Sequence, residues 1–132
     1  MLSAGCLATA ADAAVREVRE ETGVETEFRS ILAFRQHHHM PHTFGCSDLY
    51  FVCRLHPLTF DLKPCEKEVV RCAWMSVQEL AASEESTVLT RRIARLLLDN
   101  RHDNFQRIDI SMEEWPSLYK EHNYKLFLRT QH

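Results

Sequence analysis

The stretch Arg16-Glu17-Val18-Arg19-Glu20-Glu21-Thr22-Gly23-Val24 sets three carboxylates and two guanidinium groups within six residues and then meets a glycine. On a helix, positions 17, 20 and 21 stand at i, i+3 and i+4 and share one face. The like pair Glu17–Glu21 costs an isolated helix about 0.2–0.5 kcal/mol. The acids also lie near the helix C-terminus, the unfavourable end of the macrodipole. Arg16 and Glu20, opposite charges at i,i+4, offset part of this. Local energetics thus oppose the arrangement twice, and a divalent cation reverses both penalties. Mg2+ takes carboxylate oxygens and commonly completes its shell with phosphate oxygens. The plain alternative is a solvated charged face.

Other groups compete for attention. Glu66 and Glu68 stand before "VVRCAWM", where the plain reading is a pair of solvated edge acids. "HHHMPH", with Cys46 and Cys53, invites a zinc reading. His38 and His42 give one half of a zinc spacing and no second half is clear, so a polar loop beside a site is the favoured reading. Arg91, Arg92 and Arg95 share one helical face, which on an acidic chain reads as solvated surface. Trp74 and Trp115 read as core or helix-packing residues.

The elements that must position these groups are legible in outline. Thr9 with Asp12 is a variant of a capping box, and Ala11, Ala14, Val15 and Val18 recur at helical spacing, so a helix is expected over 9–22. Its apolar stripe lies about 120° from the glutamates, which therefore flank the core side and reach a cleft. Gly23 suits the left-handed residue past a helix end. A strand is expected over 26–36, then a loop through "HHHMPHTFGCS". "DLYFVCRL", mostly apolar, reads as a central strand buried on two faces. A short edge strand is expected at 58–62 and another strand at "VVRCAWM". Ser76 and Glu79 open a short helix. "TVLTRRIARLLLD" is the clearest amphipathic helix, with Val88, Ile93, Leu96 and Leu97 on its stripe. Ser111 and Glu114 signal a short helix at 112–120, and "YKLFLR" a last strand.

The totals bound the answer. The chain has 132 residues, a formal net charge of −3, 45% apolar and 27% charged residues. That fits one domain, 1–132, with a modest core. Mild acidity leaves no footprint for nucleic acid or an anionic membrane, and no apolar run reaches the ~20 residues of a membrane span. Five cysteines without a C-x-x-C pair read as reduced thiols in the cytosol or nucleus. The start lacks a basic region, and the first arginine is Arg16, so a secretory signal or mitochondrial presequence is poorly supported.

The order of the acidic stretch carries more than its composition. "REVREETGV" matches every fixed position of R-E-U-x-E-E-x-G-U, where U is a bulky aliphatic residue. It resembles the C-terminal half of the Nudix box, G-x5-E-x7-R-E-U-x-E-E-x-G-U. The likeness continues through "FRQHHHMPHTFGCSDLYFVCRL", "AWM", "TRRIARLLL" and "IDISMEEWPSLYKEHNYKLF", toward a branch that includes plant ADP-ribose and NADH pyrophosphatases. The resemblance implies an α/β fold, the Nudix-type α/β/α sandwich with a mixed sheet, here lacking its first strands. It implies a Mg2+- or Mn2+-dependent hydrolase of a nucleoside diphosphate linked to another moiety. Glu17, Glu20 and Glu21 become metal ligands, and Arg16 orients a box glutamate. Glu21 and Glu68 are the candidates for proton transfer. Arg35, His38 and Phe44 border the substrate.

The likeness stops short at one end. Counting back from Arg16, the box glycine falls on Leu2 and the first box glutamate on Ala8. Three carboxylates are left, and a chain starting inside the box is expected to be marginal in stability or to self-associate, as a homodimer for example. The alternative function is a catalytically weak or inactive Nudix-derived protein that binds nucleotide or a regulatory partner.

Overall fold

The computed structural model describes residues 10–37, 48–65, 67, 71–118 and 122–129. Its elements are helix α1 (Ala10–Thr22), strands β1 (Thr26–His37) and β2 (Asp48–Pro57), helices α2 (Val77–Ala82) and α3 (Val88–Asp99), a 3-10 turn (Arg101–Asp103), and strands β3 (Ser111–Pro116) and β4 (Asn123–Leu128). Helices and antiparallel sheets make this an α/β fold. Among the described residues no helix is long and apolar enough to cross a membrane.

Two antiparallel ladders carry the fold, β1 with β2 and β3 with β4. They join at one bridge, where Ile31 and Ile110 exchange both backbone hydrogen bonds at 3.0 and 3.1 Å. β1 therefore has partners on both edges. The expectation that "DLYFVCRL" is the central strand is corrected: among the described residues β2 pairs with β1 alone. Both of its faces are lined by other elements, but none of its described residues is fully buried, so the expected two-sided burial is only partial. Phe51, Cys53 and Leu55 line a cavity against α1, while Tyr50 and Val52 line a recess against α2 and α3. Alternation along an extended strand separates Phe51, Cys53 and Leu55 from Val52, while Tyr50 borders both spaces.

The core centres on β1. Ser30, Ile31 and Leu32 are all buried, three in a row, which a regular strand cannot do. Register shifts between Phe28 and Ser30 and between Ile31 and Ala33 break the alternation at this point. On α1 the fully buried residues are Ala11 and Ala13, whereas Ala14, Val15 and Val18 are half-buried. The expected stripe is thus rotated toward Ala13.

The helix start at Ser76 and the helix stop at Gly23 are where the sequence places them. Ser76 caps α2 by accepting from the Glu79 amide, and Thr87 caps α3 by accepting from the Thr90 amide. Gly23 ends α1 at φ +77°, its amide bonded to the Arg19 carbonyl at 2.9 Å. The proposed cap Thr9 lies outside the described residues. On α3, Leu89, Ile93, Ala94 and Leu97 face the sheet, while Val88, placed on the stripe by spacing, is 75% exposed in the first turn.

Three further expectations are corrected. Residues 58–62 are not a strand, because Leu58 and Thr59 both turn their amides onto the Glu25 carbonyl. Residues 71–75 are irregular rather than a strand. Trp74 is 53% exposed, donates its indole N–H to the Phe60 carbonyl at 2.8 Å and rests on the Phe60 ring, so side chains rather than a ladder tie these segments together. The helix expected at 112–120 is strand β3 over its first part. Met112 pairs with Phe127 and Trp115 with Tyr124, and this long-range pairing overrides a Ser-x-x-Glu signal that speaks only for one turn. Trp115 is exposed on the hairpin, its indole N–H on the Glu113 carboxylate.

Candidate active site

Helix α1 forms one wall of a cavity of about 330 Å³. Ala13, Ala14, Glu17, Val18 and Glu21 line it, at the spacing of one helical face. The opposite wall is β2, through Tyr50, Phe51, Cys53 and Leu55. The result is an apolar floor with two carboxylates one turn apart, and a volume at the lower end of small-molecule pockets.

The chain fixes α1 at both ends. Asp12 in the first turn receives Lys125 Nζ of β4 at 3.6 Å. At the other end the last carbonyls, which a helix leaves without partners, are taken by the segment after β2. The Lys63 amide donates to the Thr22 carbonyl at 2.7 Å and the Cys65 amide to the Glu21 carbonyl at 3.2 Å. The Thr22 hydroxyl donates to the Val18 carbonyl and accepts from the Val24 amide. Gly23 permits this close approach: a Cβ there would stand 2.8 Å from Lys63 Cβ. The glycine thus seats the segment that holds the carboxylate-bearing turn.

The structure divides the three glutamates. Glu17 and Glu21 line the cavity. Glu20 is exposed outside it, with Arg16 Nε 3.9 Å from its carboxylate. A face 100° wide is broad enough for spacing to group all three, yet the cleft is narrower than the face. Arg35 is exposed on β1, with its guanidinium carbon 4.9 Å from the centroid of the Tyr50 ring. His38, Phe44 and Glu68 lie outside the described residues, as do His42, Cys46 and Glu66. Cys53, weighed as a zinc ligand, is a free thiol in the cavity wall, and burial pushes its pKa up.

Among the described residues no group of three His, Cys, Asp or Glu side chains is placed to hold a metal. Two carboxylates suffice for one class of ion. Mg2+ is commonly bound through one or two carboxylates together with substrate phosphates, and Glu17 and Glu21 supply that donor set in an open cavity. Sequence reasoning missed Tyr50, Phe51 and Leu55 as cavity residues. The alternation in "DLYFVCRL" held the signal for Phe51 and Leu55, because it assigns alternate side chains to the α1 face, while it does not single out Tyr50.

A second recess of about 310 Å³ adjoins the first and shares Val18, Cys53 and Leu55 with it. Leu62 and Trp74 close its far side.

The NUDIX domain family model matches residues 7–97, well over half the chain. Nucleoside diphosphate-linked moiety X motif 6 of Mus musculus is 50% identical over 119 residues, covering 90% of this chain and 38% of that protein. The Homo sapiens protein of the same name is 48% identical over 116 residues, covering 88% and 37%. Nudix hydrolase 2 of Arabidopsis thaliana is 53% identical over 68 residues, covering 52% and 24%. The chain therefore spans well under half the length of these curated relatives.

Proposed function

The chain belongs to the NUDIX domain family, and from that premise we propose that it is a metal-dependent pyrophosphohydrolase of nucleoside diphosphate derivatives, with ADP-ribose or NADH as the substrate class. The observation that carries the reading is the pair Glu17 and Glu21 lining one cavity. The names of the relatives, which speak of a nucleoside diphosphate-linked moiety and of hydrolases, agree with it.

In this reading Glu17 and Glu21 hold Mg2+ or Mn2+, with Glu20 at the edge of the site. When bound, the cation neutralises phosphate charge and polarises the phosphorus for attack. Arg16 keeps Glu20 oriented through their pair on the outer face of α1. Glu21 takes the proton of the attacking water, with Glu68 as the other candidate base. Arg35, stacked on Tyr50, contacts a phosphate, and His38 and Phe44 are further substrate contacts. Phe51 and Leu55 give the nucleoside an apolar floor. The products are AMP and a second phosphate compound.

A second reading has its own support. Only two of the three glutamates line the cavity, so nucleotide binding without turnover is the alternative. Incubation with ADP-ribose or NADH, with Mg2+ or Mn2+ present or chelated, separates the two. Cation-dependent AMP release, lost in Glu17→Gln and Glu21→Gln, supports the enzyme. Saturable nucleotide binding with no AMP from the wild type supports the binding protein.

A further inference from the structure

Tyr50 connects three parts of the molecule. Its ring carries the Arg35 guanidinium at 4.9 Å. It lines the cavity that holds Glu17 and Glu21. It also lines the recess against α3, beside Leu89, Ile93 and Ala94. Arg35 and Tyr50 are register partners in the β1–β2 ladder, so the stack is built into two paired strands. The cross-strand pairing fixes the ring beside a long side chain that is otherwise exposed, and its planar face gives that side chain a platform.

The charges at the two sides of Tyr50 are opposite. Carboxylates stand on the α1 wall, and a guanidinium stands over the ring. A nucleoside diphosphate derivative carries two linked phosphates, and a cation held by Glu17 and Glu21 cannot neutralise the whole group. A planar guanidinium grips a phosphate through two parallel N–H donors, and stacking on an aromatic ring leaves that fork free at its edge. We propose that Tyr50 is a positioning residue, whose ring holds Arg35 at the cavity rim to receive the diphosphate oxygens that the cation does not take. This deepens the function proposed above and rests on it.

A double-mutant cycle tests the link, with ADP-ribose and Mg2+ as the kinetic probe and non-hydrolysable α,β-methylene-ADP as the binding probe. Loss of a cation–π stack should raise KM about 3- to 10-fold in Tyr50→Leu, with kcat changed less than about two-fold. Tyr50→Phe keeps the ring and should match the wild type. Arg35→Ala should raise KM by at least as much, and adding Tyr50→Leu to it should change nothing further, because both remove the same contact. Mn2+ affinity, read by electron paramagnetic resonance, should stay constant throughout. Additive losses in the double variant, an unchanged KM in Tyr50→Leu, or failure of Tyr50→Phe to match the wild type overturns the proposal. Should Tyr50→Leu fail to fold, the wild type carries the test. The Arg35 Nε–H resonance, shifted upfield by the ring current, must move on addition of α,β-methylene-ADP, and a resonance that does not respond overturns the proposal. Wild-type protein that binds neither probe overturns the parent function and this inference together. Binding that is intact and insensitive to Tyr50 and Arg35 overturns this inference alone.

Discussion

Arg54 on β2 meets Asp109, at the approach to β3, side-on: Nε donates to Oδ1 at 3.0 Å and Nη2 donates to Oδ2 at 2.5 Å. The Ser30 hydroxyl donates to the same Oδ1, and Ser30 is fully buried in β1 opposite Arg54. The guanidinium also stacks on Phe105, 4.6 Å from its centroid. One carboxylate thus ties β1, β2 and the segment entering the β3–β4 hairpin. It does so beside the Ile31–Ile110 bridge, the backbone link between the two ladders.

Removing that carboxylate leaves a guanidinium and a buried hydroxyl without their acceptor. Asp109→Ala should cost about 2–3 kcal/mol, below the figure for a fully buried pair because both side chains keep some solvent contact. Asp109→Asn retains one acceptor oxygen and should cost less. Urea unfolding of the two variants gives the ranking, and an alanine variant as stable as the wild type would mean the network contributes nothing net.

Gly23 makes a second prediction about stability. Alanine there adopts a left-handed conformation at about 1 kcal/mol and must also push Lys63 away from 2.8 Å. Gly23→Ala should therefore lose about 1–3 kcal/mol, and Gly23→Val more. The hydrogen bonds from Lys63 and Cys65 to the α1 carbonyls should weaken with it. Faster amide exchange at both positions, measured along with the unfolding midpoint, tests the coupling of the glycine to the helix end.

What could be read from the residues depended on range. The α1 helix, its glycine stop, the Ser76 cap and the last strand rest on neighbours within one or two turns, and each is where spacing placed it. The carboxylate face was legible for the same reason. Long-range contacts were not. The Ser30–Arg54–Asp109 network joins residues from three separate segments, and no local pattern marks Asp109 as its centre. The hairpin pairing of Trp115 with Tyr124 overturned a local helix signal. The register shifts in β1 decide which residues are buried, and they too arise from pairing rather than from "EFRSILAF" itself. At the site, spacing grouped Glu20 with Glu17 and Glu21, and only the position of β2 shows which two meet the cavity.

If the acidic turn exists for a cation, it is a cost to the metal-free fold. Glu21→Gln removes one like charge at i,i+4, about 0.2–0.5 kcal/mol, and one acid near the helix C-terminus, about 0.3–1 kcal/mol. The variant should be as stable as the wild type or slightly more so in chelator, and should lose the stabilisation that Mg2+ or Mn2+ gives the wild type. Thermal unfolding with and without the ion reads both effects. A clear loss of metal-free stability would point instead to a structural role for Glu21.

Cys53 offers a test from inside the cavity. It lines the same wall as Glu17 and Glu21, and burial raises its pKa above the ordinary thiol range. Reaction with a maleimide needs the thiolate, so Cys53 should label slowly at neutral pH in the folded chain and faster in urea. Labelling of the folded chain should accelerate as pH rises through the shifted pKa. The linkage has a definite sign. The unfolded thiol loses its proton first, near pH 8.5, so below that pH the group takes nothing from the fold. Between the unfolded and folded values the unfolded chain is increasingly favoured, and stability falls with rising pH. Cys53→Ala should remove that part of the decline in the urea midpoint. An adduct on Cys53 also occupies a cavity of about 330 Å³, so the labelled protein should lose affinity for α,β-methylene-ADP. The nucleotide should in turn slow the labelling. Peptide mass spectrometry assigns the label to Cys53, and labelling that ignores saturating nucleotide would place the ligand elsewhere.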